Sequence, residues 1–198
     1  SLIANLTGLI SAVIMLALYA LELAGITQVS DALLMKNLVF LFGHIIVNVT
    51  LYLGVGMLYE LLPEYADRPW KNNRWVAIAW NTVLVLIVIA YFHHLYMDFA
   101  QLRVVQVIGQ ISSYGLAIPS AVVSIYGTLA LVWRARMKWS MASLLMYFGV
   151  LGWTIGGIGA LIDSTIAFNT KFHNTLWVPG HFHTYFLMGV VLMILGSI

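Results

Sequence analysis

The sequence predicts an all-α protein, a bundle of six membrane-spanning helices. Of its 198 residues, 62% are hydrophobic and only 8% are charged, whereas roughly a quarter of the residues of a soluble domain carry charge. Six apolar runs are long enough to cross about 30 Å of hydrocarbon, and short polar segments connect them. Backbone amides find no water in lipid, so runs of this length predict helices rather than strands.

The six runs follow one another along the whole chain, and we interpret residues 1–198 as one transmembrane domain. The first run, Leu2 to Leu23, lacks a basic leader and a small-residue cleavage site, which indicates a spanning helix rather than a secretory signal. Because Ser1 leads directly into this run, we expect the chain to be part of a longer polypeptide. The runs cover residues 2–24, 36–62, 75–97, 105–133, 141–167 and 174–198.

The basic residues predict the orientation of the bundle, because cytoplasmic loops carry an excess of lysine and arginine. They are concentrated in the second and fourth connections, so we expect both of these loops, and both chain ends, on the cytoplasmic side. The residues concerned are Arg68, Lys71, Arg74, Arg134, Arg136 and Lys138.

Small residues mark the fifth run, where several glycines follow one another at about one helical turn. Such a spacing lets helix backbones approach closely, and we interpret it as a packing feature. The glycines are Gly149, Gly152, Gly156, Gly157 and Gly159.

Charge and cysteine content exclude several classes of function. The net charge is only +2, and the basic residues lie in several connecting segments rather than in one stripe, so they do not form the patch of a nucleic-acid-binding protein. The chain has no cysteine, which excludes disulfides, iron–sulfur clusters and thiolate copper sites within it. Histidine is therefore the principal candidate ligand for a transition metal.

The histidines fall near the predicted outer membrane face. His44 lies about eight residues, or roughly 12 Å, from the outer end of the second run, and His173 opens the sixth run. One histidine in a span is sometimes a hydrogen-bonded interior residue, but ionisable residues in a membrane are costly and tend to be functional. Convergence on one layer favours a functional cluster of all six: His44, His93, His94, His173, His181 and His183.

The spacing of the histidines indicates which of them can bind the same metal ion. Adjacent helical residues differ by roughly 100° in direction, so His93 and His94 can bind one metal only where the backbone bends, as at a helix end. With His44 they offer three imidazoles, a set suited to copper, zinc or iron. His181 and His183 lie on nearly opposite sides of a helix, which predicts axial ligands for two different haems.

Three motifs occur in order: GHIIVN at 43–48, FHH at 92–94 and HNTLWVPGHFH at 173–183. With these motifs the chain resembles the catalytic subunit of the haem-copper oxidase superfamily, nearest to its B-type branch, over the family's helices five to ten. The resemblance implies that His44, His93 and His94 hold the metal called CuB, with non-haem iron as the alternative. Three neutral histidines without a carboxylate favour copper.

The resemblance also implies two haems of unidentified type. His181 would be the proximal ligand of the high-spin haem and His183 one axial ligand of the low-spin haem, whose second histidine lies outside this chain. His173 and Asn174 match positions near the haem propionates. Trp177 would pack beside a haem or carry electrons, with plain packing as the alternative.

A proton pathway from the cytoplasm is implied by two further matches to the B-type pattern, Tyr59 and Ser120. The position of another B-type hydroxyl is Val123, and this gap puts a working pathway in doubt. Asp163 is expected either to relay protons near the propionates or to be a solvated interfacial carboxylate.

The sequence departs from the oxidase pattern at one position that matters for the substrate. Most family oxidases have a tyrosine four residues after the first histidine, as a donor for cleavage of the O–O bond, and here that residue is Asn48. The C-type branch places its tyrosine where this chain has Ile87. The chain therefore resembles the tyrosine-lacking nitric oxide reductases (sNOR type), which implies reduction of NO to N₂O.

Two other functions stay open at this stage: an O₂-reducing terminal oxidase of B-type, with or without proton pumping, and a non-haem metal carrier. Asn48 shares a helix face with His44 and is expected to hydrogen-bond bound NO or, alternatively, a neighbouring helix. Expected partners are the remaining helices of the subunit, a cupredoxin-like or cytochrome c-type electron donor, and lipid. The expected location is a bacterial or archaeal cytoplasmic membrane.

Overall fold

The computed structural model describes residues 2–27, 29–71, 73–98 and 101–198. Within them the chain is helical and contains no strand, and six helical segments are long and apolar enough to cross a membrane. This confirms the predicted fold class. The helices are α1 (Leu2–Leu23), α2 (Ala32–Ala66), α3 (Asn73–Ala90), α4 (Arg103–Val132), α5 (Met141–Ser164), α6 (Ile166–Phe172), α7 (Trp177–Tyr185) and α8 (Leu192–Leu195).

Two segments with non-α hydrogen bonding extend these helices. A 3₁₀ turn, Tyr91–Leu95, continues α3, and a π-helical segment, Phe186–Val191, joins α7 to α8. Departures of this kind inside long helices are often found at functional sites. Both segments lie next to histidines: the first contains His93 and His94, and the second begins three residues after His183.

The second helix is longer at both ends than predicted. It begins at Ala32 because the Asp31 carboxylate caps it by accepting a hydrogen bond from the Leu34 amide at 2.7 Å. It ends at Ala66, so Pro63 lies inside its last turns rather than in the connecting loop. Asp67 then adopts a left-handed conformation with φ 51° and ends the helix.

The prediction that His173 opens the sixth spanning helix is wrong. The fifth span ends at Ser164, a separate short helix follows, and His173 lies directly after that helix. Asn174 adopts a left-handed conformation with φ 61°, which a helix cannot continue through. The sixth span therefore begins at Trp177, three residues later than the predicted start.

Helix α5 packs closely against the last spanning helix through its glycines. A Cβ atom at Gly152 would collide with the carbonyl oxygen of Met188, and one at Gly156 would collide with the backbone of Tyr185. A Cβ at Gly159 would lie 3.0 Å from Nδ1 of His181. These glycines fix the position of the helix that carries His181, as their spacing predicts.

The two basic loops lie side by side at the end of the bundle opposite to the histidines. The guanidinium group of Arg68 donates hydrogen bonds to the carbonyl oxygens of Trp133 at 2.8 Å and Arg134 at 2.6 Å. Both loops therefore share one side of the protein, as the predicted topology requires. Their assignment to the cytoplasm stays a prediction.

Candidate metal and haem site

Three imidazoles from α2 and the 3₁₀ turn meet in one place. His44, His93 and His94 each offer a ring nitrogen, and these atoms all lie within 4.8 Å of one another. The ring centroids of His93 and His94 are 4.1 Å apart, and His44 lies 5.2 Å from the first and 5.5 Å from the second. The structure thus brings together the three residues predicted as metal ligands.

Adjacent histidines reach the same point because α3 changes its backbone geometry before it ends. The helix gives way to the 3₁₀ turn at Tyr91, and both His93 and His94 lie within that turn. Phe40 stacks on the His94 ring at 5.2 Å between centroids, with an angle of 14° between planes. The sequence predicts such a change of geometry at this helix end.

Nitrogen atoms in this cluster are available to a metal. Nδ1 of His44 is buried and has no hydrogen-bond partner, an arrangement that costs free energy unless something binds the atom. Three neutral imidazoles of this kind fit a copper, zinc or iron ion.

His181 faces these imidazoles across a cavity of about 370 Å³. Its Nδ1 lies 3.1 Å from the carbonyl oxygen of Gly156. A carbonyl only accepts, so Nδ1 carries the hydrogen and Nε2 keeps its lone pair. A hydrogen bond of this kind is the usual way of orienting a histidine that binds a metal through its other nitrogen. His181 is therefore suited to bind a haem iron through Nε2.

His183 points to a different side of α7. Its side chain is exposed, and it is not among the described residues that line the cavity. The two histidines of this motif therefore cannot share one ion, as their spacing predicts. The assignment of haems to them stays a prediction.

The other residues predicted to contact haem lie at the edge of the histidine layer. Nε2 of His173 donates a hydrogen bond to the carbonyl oxygen of His94 at 3.2 Å. Asn174 is exposed, and Trp177 stacks on Phe172 at 4.9 Å between ring centroids. None of the three is among the described residues that line the cavity, and their predicted roles at the haems stay untested.

Asn48 lines the cavity, but its amide is largely engaged. Nδ2 donates to the carbonyl oxygen of His44 at 2.6 Å, and Oδ1 accepts from the hydroxyl of Tyr52 at 3.1 Å. One N–H of the amide therefore remains for a ligand in the cavity. Tyr52 also lines the cavity. Sequence reasoning missed it, although it lies one turn beyond Asn48 on the same helix face.

Hydroxyl groups extend from the cavity towards the basic loops. Ser120 lines the cavity, and one turn further along α4 the Ser124 hydroxyl lies 2.7 Å from that of Tyr59. The indole N–H of Trp80 donates to Tyr59 at 3.0 Å. Ser124 thus supplies a hydroxyl next to Val123, the position that left a gap in the predicted pathway. Ser124 lies four residues after Ser120, and this helical spacing was the sequence signal that could have identified it.

Asp163 is buried, with 5% of its surface exposed, and it lines the cavity. Its Oδ1 atom has no hydrogen-bond partner. The alternative of a solvated interfacial carboxylate is therefore wrong.

Comparison with known proteins identifies the class. The chain matches the family described as cytochrome c and quinol oxidase polypeptide I over residues 1–198, and it belongs to that family. Membership in a family of oxidases argues against the non-haem metal carrier.

The individual relatives are distant in sequence and longer than this chain. Cytochrome c oxidase subunit 1 of Thermus thermophilus is 26% identical over 188 residues, which cover 88% of this chain and 34% of the relative. The haem-copper oxidase subunit I+III of Aeropyrum pernix is 26% identical over 162 residues, 81% of this chain and 19% of the relative. The chain therefore spans about a third of the length of the first relative and about a fifth of the length of the second.

A solved structure shows the same fold. A haem-copper terminal oxidase dimer, determined by cryo-electron microscopy, superposes with a TM-score of 0.75 at 21% identity. The match covers 98% of this chain and 39% of that chain.

Proposed function

We propose that this chain forms the gas-reducing centre of a respiratory oxidoreductase. His44, His93 and His94 hold copper, and His181 holds the iron of a high-spin haem on the other side of the cavity. The observation that carries the proposal is the meeting of three imidazole nitrogens within 4.8 Å on a cavity whose wall also contains His181. When bound, copper and haem supply the electrons and the Lewis acidity that the reaction needs.

The exposed His183 would hold a second, low-spin haem, a group that would supply electrons when bound. Its position on the face of α7 away from the cavity supports this role, because a further helix can approach there. His173, Asn174 and Trp177 surround the haem edges. A cupredoxin-like or cytochrome c-type subunit supplies the electrons, and the complex lies in a bacterial or archaeal cytoplasmic membrane.

The proposed substrate is nitric oxide: two NO, two electrons and two protons give N₂O and water. This reaction needs no side-chain donor for cleavage of an O–O bond, and the chain has Asn48 and Ile87 where relatives of this superfamily have that tyrosine. The free N–H of Asn48 is available to hydrogen-bond a ligand in the cavity.

Reduction of O₂ is the second candidate. The curated relatives include several proteins named cytochrome c oxidase subunit 1, and Tyr52 provides a phenol on the cavity wall, hydrogen-bonded to Asn48 at 3.1 Å. In that case the phenol would be the hydrogen-atom donor in place of the missing tyrosine.

Protons reach the cavity from the basic-loop end along Tyr59, Ser124 and Ser120. The short contact between Tyr59 and Ser124, and the place of Ser120 on the cavity wall, support this route. Thr128 lies one further turn along α4 with a buried, unpaired hydroxyl, where a water molecule can bond.

The substrate is tested with the purified full-length complex, a chemical reductant and either NO or O₂. The proposal expects N₂O to form, detected by gas chromatography, with slow consumption of O₂ at an oxygen electrode. Tyr52→Phe removes only the phenol hydroxyl. It is expected to leave N₂O formation within about twofold of the original protein. Fast O₂ consumption without N₂O, abolished by Tyr52→Phe, would assign the second candidate instead.

A further inference from the structure

Ser113 on α4 contacts the ring of His93 and lies on the wall of the same cavity. Its Oγ atom lies 2.9 Å from Nδ1 of His93, 2.7 Å from the carbonyl oxygen of Gly109 and 3.4 Å from that of Ala90. Ser113 is 4% exposed, so water does not compete for these bonds. No sequence motif pointed to this residue.

The directions of these hydrogen bonds follow from the atoms involved. A serine hydroxyl has one hydrogen, and carbonyl oxygens only accept. The shortest contact, to Gly109, takes that hydrogen, so Oγ accepts a hydrogen bond from Nδ1–H of His93. Nε2 of His93 is then left without a hydrogen, and its lone pair is free to bind a metal.

We propose that Ser113 is a positioning residue, which holds the His93 ring and its tautomer so that Nε2 binds the metal. The inference rests on the metal site proposed above and deepens it. Partners of this kind orient metal-binding histidines, and their loss typically weakens metal affinity by roughly 10–100-fold.

The close approach of α4 to the 3₁₀ turn makes this contact possible. Gly109 lies one turn before Ser113, and a Cβ atom there would be only 2.8 Å from Cβ of Phe92 and 3.1 Å from the ring of Tyr96. Without a side chain at Gly109 the backbone of α4 packs directly against the side chains of Phe92 and Tyr96, and the short serine side chain reaches His93. A larger distance between α4 and the 3₁₀ turn would put the Ser113 hydroxyl beyond hydrogen-bond distance of His93.

Ser112 provides a matched control. It is also 4% exposed, but its hydroxyl bonds to the carbonyl oxygens of Ile108 at 2.7 Å and Gly109 at 3.1 Å, both on its own helix. Ser112→Ala and Ser113→Ala therefore remove the same atom from neighbouring buried positions. Only the second removes a contact with a histidine.

The test compares the two variants in the full-length complex, loaded with Cu(II) after removal of the non-haem metal. Ser113→Ala is expected to weaken copper affinity roughly 10–100-fold and to change the nitrogen couplings of the copper in electron paramagnetic resonance. Ser112→Ala is expected to leave both unchanged. Ser113→Thr keeps a hydroxyl and is expected to restore the affinity and the couplings.

The outcomes separate this inference from the proposed function. If Ser113→Ala and Ser112→Ala bind copper with equal affinity, the positioning role of Ser113 is wrong. The same holds if Ser113→Ala loses haem and copper together, since that indicates a general loss of structure. If the unaltered protein binds no copper, iron or zinc at the histidines, the proposed function itself is wrong.

Discussion

The two closely spaced histidine pairs of this chain have opposite geometries. His93 and His94 are adjacent, lie in a 3₁₀ turn and converge, with ring centroids 4.1 Å apart. His181 and His183 lie in a regular α-helix and diverge, one towards the cavity and one towards the exposed surface. Local backbone geometry therefore decides whether a pair of histidines serves one centre or two.

The two histidine pairs also differ in the residues that surround them. The converging pair is enclosed by α2 and α4, which bring His44 and Ser113 to it. Near the diverging pair, the glycines of α5 leave room for α7 to approach until Gly156 accepts a hydrogen bond from His181. Four experiments test how far this contrast holds, from the largest expected effect to the smallest.

Removing one ligand from each pair should have different consequences. We expect His94→Ala to lower the bound non-haem metal by at least about tenfold, because even loss of an outer partner of a ligand costs 10–100-fold in affinity, and to abolish turnover. His183→Ala should keep that metal and lose a low-spin haem. Metal analysis and the optical spectrum of the haems measure both. Equal metal loss in the two variants would contradict the separation of the pairs.

A methyl group between α5 and α7 should disturb the diverging pair. We expect Gly156→Ala to destabilise the protein by about 1–3 kcal/mol through overpacking and to lower haem occupancy, because the new Cβ collides with the backbone of Tyr185. Gly56→Ala on α2 is the control, since a Cβ there would meet nothing within 4 Å and Gly56 is not among the described residues that line the cavity. Thermal unfolding in detergent and haem content are measured. Similar losses in both variants would show that helix approach is not the cause.

Removing the hydroxyl of Tyr59 should slow turnover without affecting either pair. Tyr59→Phe breaks the contact with Ser124, which is worth about 1 kcal/mol of stability, and interrupts the proposed proton route. We expect turnover to fall by roughly tenfold, less than the roughly 10²–10⁴-fold typical of a group that exchanges a proton directly with the substrate, because Tyr59 is not among the described residues that line the cavity. Metal and haem contents should be unchanged. Tyr126→Phe, at a position 62% exposed, should have no effect. Unchanged turnover in Tyr59→Phe would place the proton route elsewhere.

The smallest effect is expected when an ion pair near His93 and His94 is removed. Lys36 Nζ lies 2.8 Å from Oδ2 of Asp98, and the lysine side chain is 57% exposed. Exposed pairs contribute about 0–1 kcal/mol, and the Asp98 side chain is only 9% exposed, so Lys36→Met should destabilise the protein by about 1 kcal/mol and leave the metal content unchanged. Loss of metal in Lys36→Met would mean that this ion pair, and not the 3₁₀ turn, holds the histidines together.

Hydropathy and histidine spacing were sufficient to predict the fold class and the three converging imidazoles. Spans of about 20 apolar residues leave few alternatives to helices in a membrane. The topology then places His44, His93 and His94 at one depth. The opposite directions of His181 and His183 follow from helical geometry alone.

Details that depend on contacts between helices were not predictable in the same way. The break after Ser164 lies in an apolar run where hydropathy does not distinguish a helix from a turn, so the place of His173 was predicted wrongly. Ser113 gains its contact with His93 from the rotation and separation of packed helices, which the absence of a side chain at Gly109 permits.

The central claim is that the histidine layer holds a metal opposite a haem iron. The most direct measurement is a structure of the purified full-length complex with anomalous scattering at the copper and iron edges. The account predicts copper bound by Nδ1 of His44 and by His93 and His94, at about 2.0–2.1 Å from each nitrogen, as is usual for metal–imidazole bonds, and haem iron on Nε2 of His181. An empty histidine cluster, or a His181 without iron, would contradict it.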